Sequence, residues 1–165
     1  MVTRRRLVAA LTLAVPLGLL APSGAALADA DAKVFLEKIY AAYKGKNSKG
    51  VRLDKDAVLR LYFEPTLAAL MIKDRKEAAK RGDVPELDGD PFLDAQDWEI
   101  GPVAITIEDD AADRARATAK FENFKMPTTV VYDLVKLKPG WRIADITWQR
   151  NDGTTDTLRG FYVKK

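Results

Sequence analysis

The residue pattern predicts an α+β fold, with N-terminal helices packed on a curved, mainly antiparallel sheet to make one cone-like domain. Two observations carry this. Apolar residues recur with a period near 3.6 as far as Gly82, and beyond it they alternate with a period of 2. Helices first and strands afterwards is the order of an α+β chain.

Between Ala30 and Lys44, the residues Leu36, Ile39, Tyr40 and Tyr43 form the i, i+3, i+4, i+7 stripe of an amphipathic helix. Asp29 or Asp31 is expected to start it and Gly45 to end it. A polar loop from Lys44 to Gly50 follows, and with Arg52 its lysines form a small basic cluster on a solvated turn. Asp54 is expected to cap a second helix carrying Val58, Leu61 and Tyr62 on one side. Pro65 has no N–H to continue that ladder. The chain should therefore kink after Phe63 and restart with Leu67, Leu70 and Met71 inward, until Gly82 stops it.

In the second half Val103, Ile105 and Ile107 alternate with Ala104 and Thr106, and Ala115, Ala117, Ala119 and Phe121 alternate with polar residues. Both are half-buried antiparallel strands, and the small alanines leave room beside them. Thr128 to Lys136 makes a third run, Lys138-Pro139-Gly140 turns it, and Trp141 to Gln149 returns before an Asn151-Asp152-Gly153 turn. In the fourth run the large apolar residues stand at 141 and 143 but then at 146 and 148. That switch of parity near Asp145 predicts a bulge, and bulges bend sheets. Thr155 to Val163 reads equally as a short strand or a helical turn.

Ahead of all this, Arg4, Arg5 and Arg6 precede an apolar run from Leu7 to Ala21, and Ala26-Leu27-Ala28 offers small residues at the cleavage positions. This is the pattern of a secretory signal peptide cut after Ala28, leaving residues 29–165 as a single domain. Fifteen residues interrupted by Pro16 and Gly18 fall short of the roughly 20 that span hydrocarbon. Thr3 to Leu7 also fits a twin-arginine pattern loosely, so the route of export stays open between the two systems. The leader holds three arginines and no acid, so the net charge of +3 belongs to it and the mature chain is formally neutral. A nucleic-acid partner loses its support, and no membrane span is expected in the mature chain.

The chain has no cysteine and no histidine, which removes disulfides, thiolate nucleophiles, the usual general base and the usual metal ligands. Ser48, the one serine after the leader, has no base to activate it. No phosphate loop or dinucleotide fingerprint occurs, and no cofactor is expected. The remaining chemistry is acid–base work by a carboxylate with a raised pKa opposite a tyrosine. The candidates are Asp97, Asp133 and Asp145 with Tyr40, Tyr62 and Tyr132, each of which also reads as ordinary core or strand. The densest polar stretch, Leu87 to Glu99, puts oxygen donors at several places of a calcium loop from Asp88, but Phe92 and Leu93 stand at its fifth and sixth places. It reads better as a turn opened by Asp90-Pro91, with Asp94 or Gln96 capping nearby amides and Phe92, Leu93 and Trp98 plugged into the core. Trp141 and Trp148 read likewise as core or rim anchors.

Several strings together carry a resemblance: Leu61-Tyr62-Phe63-Glu64-Pro65-Thr66-Leu67, Gly82 to Asp88, Asp90-Pro91-Phe92-Leu93-Asp94-Ala95-Gln96-Asp97-Trp98, Val131-Tyr132-Asp133-Leu134-Val135 and Gly140 to Ile146. With them the chain resembles a family of small exported bacterial proteins, domain of unknown function 3828, whose fold is similar to that of nuclear transport factor 2. The resemblance runs from about Phe35 to Leu158 and supplies no catalytic role. It implies that Asp90, Gln96, Asp97, Tyr132, Trp141 and Asp145 occupy motif positions. Gly89 stands where a large apolar residue is expected, and the C-terminal end is less helical than the resemblance implies.

The expectation is therefore an exported module, periplasmic or secreted, that binds without catalysis. Its partner is a small apolar ligand or an envelope protein, met through Asp90, Gln96, Asp97, Trp98, Tyr132 and Asp145. The alternative is an isomerase- or dehydratase-like enzyme using an aspartate and a tyrosine. A third reading, a domain that oligomerises through its sheet, predicts an exposed apolar patch on the outer sheet face.

Overall fold

The computed structural model describes residues 24–45, 48–111, 113–150 and 152–163, with the side chains of 24–29, 109 and 110 outside the description. The leader head and apolar run therefore lie outside the described residues. Helix α1 spans Gly24–Ala41, so neither Asp29 nor Asp31 stands at its start. The alanine-rich stretch before Asp29 favours helix and offers no stop. Asp31 instead reaches across to Lys136, Oδ2 to Nζ at 3.3 Å. The stripe itself is as expected: Ala32, Leu36, Ile39, Tyr40 and Tyr43 are all buried.

Helix α2 spans Asp56–Tyr62 and begins later than expected, with Lys55 at its N-cap and no side-chain cap. Asp54 pairs with Arg52 and Lys55 instead. Leu59 is its buried residue, while Leu61 is 53% exposed. A helix of only seven residues follows its two anchored ends rather than a stripe. The kink falls where Pro65 requires it. Phe63 ends α2, Glu64 caps helix α3 (Pro65–Arg81), and Gly82 closes α3 in the left-handed region at φ 70°. The elbow is pinned to the sheet, because Glu64 N donates to Ile143 O at 2.8 Å. Inward on α3 lie Leu67, Ala68, Met71, Ile72 and Ala78, and Asp74 accepts Glu86 N at 2.8 Å to hold the returning chain.

Strands β1 (Ala104–Ala111), β2 (Arg114–Asn123), β3 (Met126–Leu137), β4 (Gly140–Gln149) and β5 (Thr155–Thr157) form one antiparallel sheet in sequence order. This is the α+β arrangement that the periodicity predicts. The bulge is present: Asp133 faces Asp145 and Leu134 faces Ile143, which leaves Ala144 unmatched. Phe124 and Lys125 turn β2 into β3, both at positive φ (49° and 64°). The C-terminal segment is strand and helix in succession, β5 and then α4 (Gly160–Val163).

Ala115, Ala117 and Ala119 of β2 are fully or nearly fully buried, and the space they leave is filled by α1, with Tyr40 5.5 Å from the ring of Phe121. The region between helices and sheet holds Phe63, Phe92, Leu93 and Tyr132, each at most 1% exposed. Phe63 and Phe92 stack at 5.8 Å. The outer sheet face carries Thr106, Glu108, Arg114, Arg116 and Lys120, all exposed. The exposed large apolar side chains among the described residues are Val34, Leu61, Val84, Phe124, Met126 and Val163, away from the middle of that face. No described helix is long and apolar enough to cross a membrane.

Candidate functional site

The acidic turn is built from its first aspartate. Asp90 accepts the Phe92 amide on Oδ1 at 2.9 Å, and its carbonyl receives Leu93 N and Asp94 N, closing one tight turn. Pro91 sets the φ that this geometry needs. Four aromatic groups then clamp the turn from below. Tyr43 donates to Asp90 Oδ2 at 2.5 Å, Tyr40 to Phe92 O at 3.1 Å, and Trp148 Nε1 to Pro91 O at 2.8 Å. Tyr132 lies 2.7 Å from the Tyr40 hydroxyl, and since Tyr40 directs its hydrogen to Phe92, Tyr132 is the donor there. Three successive residues of a loop are thus held by Tyr43 just past the end of α1, Trp148 of β4 and Tyr40 of α1, with Tyr132 of β3 bracing Tyr40.

Burial raises the carboxyl of Asp90 to about 6, even though the Tyr43 hydroxyl and the Phe92 amide oppose the shift. Burial likewise pushes the hydroxyls of Tyr40, Tyr43 and Tyr132 well above the usual phenol value, the Asp90 charge adding to it, so all three stay protonated donors. Around the turn, Gln96 Nε2 donates to Asp88 O and Oδ2 at 2.8 and 3.1 Å. Asp94, at φ 53°, is ion-paired with Arg150, which also reaches Asp156 at 3.3 Å. Burial raises the Asp94 carboxyl and the guanidinium of Arg150 works against it.

The next segment is stitched to the end of β2. Asn123 Nδ2 donates to Asp97 O at 3.2 Å and Asn123 Oδ1 accepts Glu99 N at 2.9 Å. Trp98 Nε1 donates to Ser48 Oγ at 2.9 Å, and Ser48 donates in turn to Tyr43 O at 3.1 Å. The loop lies close: at Gly50, φ 61°, a Cβ would stand 2.7 Å from the Tyr43 ring. Between this loop and the segment opens a cleft of about 570 Å³ lined by Tyr43, Ser48, Asp97, Trp98, Glu99 and Ile100. A smaller one of about 270 Å³ lies over the turn, with Asp90, Gln96, Trp148 and Phe161 among its walls.

The structure therefore brings Asp90, Gln96, Trp98 and Tyr132 to one region, with Asp97 exposed on its rim. Asp145 serves elsewhere: its Oδ1 accepts Ile146 N at 2.9 Å and Arg159 N at 3.0 Å, fixing the bulge and the approach to α4. Among the described residues, none of Asp97, Asp133 and Asp145 bonds to a tyrosine, and the pairing of acid with phenol falls on Asp90 and Tyr43 instead. The turn is capped by Asp90 rather than by Asp94 or Gln96. Tyr43, Arg150 and Asn123 are the residues that sequence reasoning missed. Two tyrosines on the buried stripe that runs through α1 and just past its end are a signal for Tyr43, because a buried phenol requires an acceptor. Among the described residues no three carboxylates converge as a metal site. Compared with protein-family models, with curated proteins and with solved structures, the chain matches none.

Proposed function

We propose that the protein is an exported, non-catalytic binding module, periplasmic or secreted, whose partner is another protein of the cell envelope. The observation that carries this reading is the filled interior. Phe63, Phe92, Leu93, Tyr40 and Tyr132 occupy the region between helices and sheet, so recognition belongs to the surface. The acidic turn is held as a rigid platform, and its rim offers Asp97 and Glu99 beside the half-buried ring of Trp98. Acidic groups beside an aromatic wall suit a partner segment that presents basic side chains. The basic head and apolar run of the leader support export. The bulged sheet behind three helices, with the strings quoted above, supports a cone of the nuclear transport factor 2 kind and membership of the exported family that the chain resembles.

A photo-reactive residue at position 97 is expected to cross-link the protein to one envelope protein in the cell, and one at Thr106 on the outer sheet face is not. Reversing Glu99 to Lys should abolish the adduct. Equal labelling from both positions, or none from position 97, overturns the reading.

A second reading, an isomerase- or dehydratase-like enzyme, is favoured by one observation: Asp90, held near 6, touches the Tyr43 hydroxyl and borders a cleft. Native mass spectrometry of wild type and Asp90→Asn, each purified from its own periplasm, separates the two. A dehydratase gives co-purifying small molecules that differ by one water between variant and wild type, and an isomerase gives one small-molecule mass in both; the binding module gives none.

A further inference from the structure

The far end of β3 and β4 from Asn123 carries a third cleft, independent of the rim, of about 470 Å³. Its walls are Val34 and Phe35 of α1, Leu61 and Tyr62 of α2, and Trp141 of β4. That volume falls in the range of small-molecule sites. Three features there are unexplained by the fold. Val34 and Leu61 are 44% and 53% exposed, although both extend apolar surface that continues into the core through Phe35 and Tyr62. Trp141 is 96% buried, and its Nε1 is the one buried side-chain nitrogen or oxygen among the described residues with no hydrogen-bond partner. A buried N–H without an acceptor is a standing penalty that a ligand oxygen relieves.

Charge is the third feature. Among the described residues the cleft is bordered by Lys38, Lys136 and Arg142 against a single acid, Asp31. Asp31 is taken by Lys136, whose Nζ also lies 5.5 Å from the centre of the Trp141 ring. Lys38 makes no ion pair with any described residue, and Arg142 donates to the carbonyl of Trp141 rather than to a carboxylate. Two uncompensated cations beside an apolar wall and an unpaired donor, on a body that is formally neutral, select an anion with a greasy tail.

We propose that this cleft binds a free amphiphilic carboxylate, its chain against Val34, Phe35, Leu61 and Tyr62 and its head accepting from Lys38, Arg142 and the Trp141 indole. The proposal does not rest on the reading given for the rim.

The probe is sodium decanoate below its micelle concentration, followed through the three indole N–H signals of the nitrogen-15 proton spectrum. Saturable movement of the Trp141 signal is expected, with those of Trp98 and Trp148 unmoved. Lys38→Ala combined with Arg142→Gln should weaken binding about tenfold or more, the scale of a charged hydrogen bond. Trp141→Phe, which keeps the ring and loses the donor, should weaken it several-fold, read by calorimetry. Leu61→Asp, at an exposed position that the fold tolerates, should abolish it. Decan-1-ol is expected to bind at least tenfold more weakly. Equal affinity for the alcohol, movement confined to Trp98 or Trp148, or binding to phosphatidylglycerol vesicles without binding to soluble decanoate would each overturn the proposal.

Discussion

Trp141 and Trp148 sit on the same strand, on the same face, on either side of one bulge, and both are almost fully buried. Trp148 gives its N–H to Pro91 O and so locks the acidic turn to the sheet. Trp141 gives its N–H to no described residue. The same contrast holds for the charges around them. Beside Trp148, Arg150 is bound to Asp94 and Asp156, whereas beside Trp141 three cations share one acid. One end of β4 has its polar groups committed to holding the fold together, and the other keeps donors in reserve. Density of polar residues in the sequence marks the first kind of region, and groups left unbonded mark the second.

The strongest way to break the comparison is to remove the plug of the locked end. Phe92→Ala empties a site with no exposure, stacked on Phe63, and should destabilise the protein by about 3–5 kcal/mol in denaturant unfolding. A loss under about 1 kcal/mol would mean that the turn is not what closes the interior.

Next in size is a pH effect. The Asp90 carboxyl is raised by burial to about 6 from 3.8, so the folded state binds its proton more tightly than the unfolded chain does. The stability this contributes is fully present below the unfolded value and is lost as pH rises through about 6. A shift of that size corresponds to about 3 kcal/mol. Glu64 behaves in the opposite sense. Burial works to raise it, but the Thr66 hydroxyl, the Thr66 and Leu67 amides and Arg159 hold it down to about 2, so its contribution is lost only as pH falls through that value. Asp90→Asn should therefore flatten the stability profile between pH 4 and pH 7.5 and leave the acid limb unchanged. A parallel profile in the variant would show that Asp90 ionises without penalty.

The smallest effects sharpen the comparison most. Both Trp→Phe variants leave the same gap at a buried site, but Trp148→Phe also strands the carbonyl of Pro91 while Trp141→Phe removes an orphan donor, so Trp148→Phe should cost about 1–3 kcal/mol more. Paired unfolding curves decide it, and equal losses for the two variants would erase the distinction.

Where the chain's own periodicity governs, the structure was legible in advance. The helix break at Pro65, the stop at Gly82, the alanine face of β2 and the bulge beside Asp145 all follow from spacing along the chain. The errors fall where local signals compete. Asp54 and Asp56 stand two apart, and Arg52 claims the first, which delays α2. Leu61 sits on a helix too short for a stripe to define its facing, and its exposure is now part of the third cleft. The pairing of Tyr43 with Asp90 joins residues 47 apart, and nothing local announces it beyond a buried phenol lacking an acceptor. The third cleft was illegible altogether, because an unbonded indole N–H is a property of assembled elements and leaves no mark in one dimension.

The sheet runs β1-β2-β3-β4-β5, so every strand finds its neighbour within the next hairpin. The three leading helices have no such convenience. The acceptor for Tyr43 lies in a loop made much later, and the groups that cover the elbow at Phe63 and Glu64 come from β4, about half the chain further on. Synthesis proceeds from the N-terminus, so greasy helices emerge first and wait longest for their lid. That interval is when a ribosome-bound chain is most exposed to clumping, and it is where a holding chaperone has something to grip.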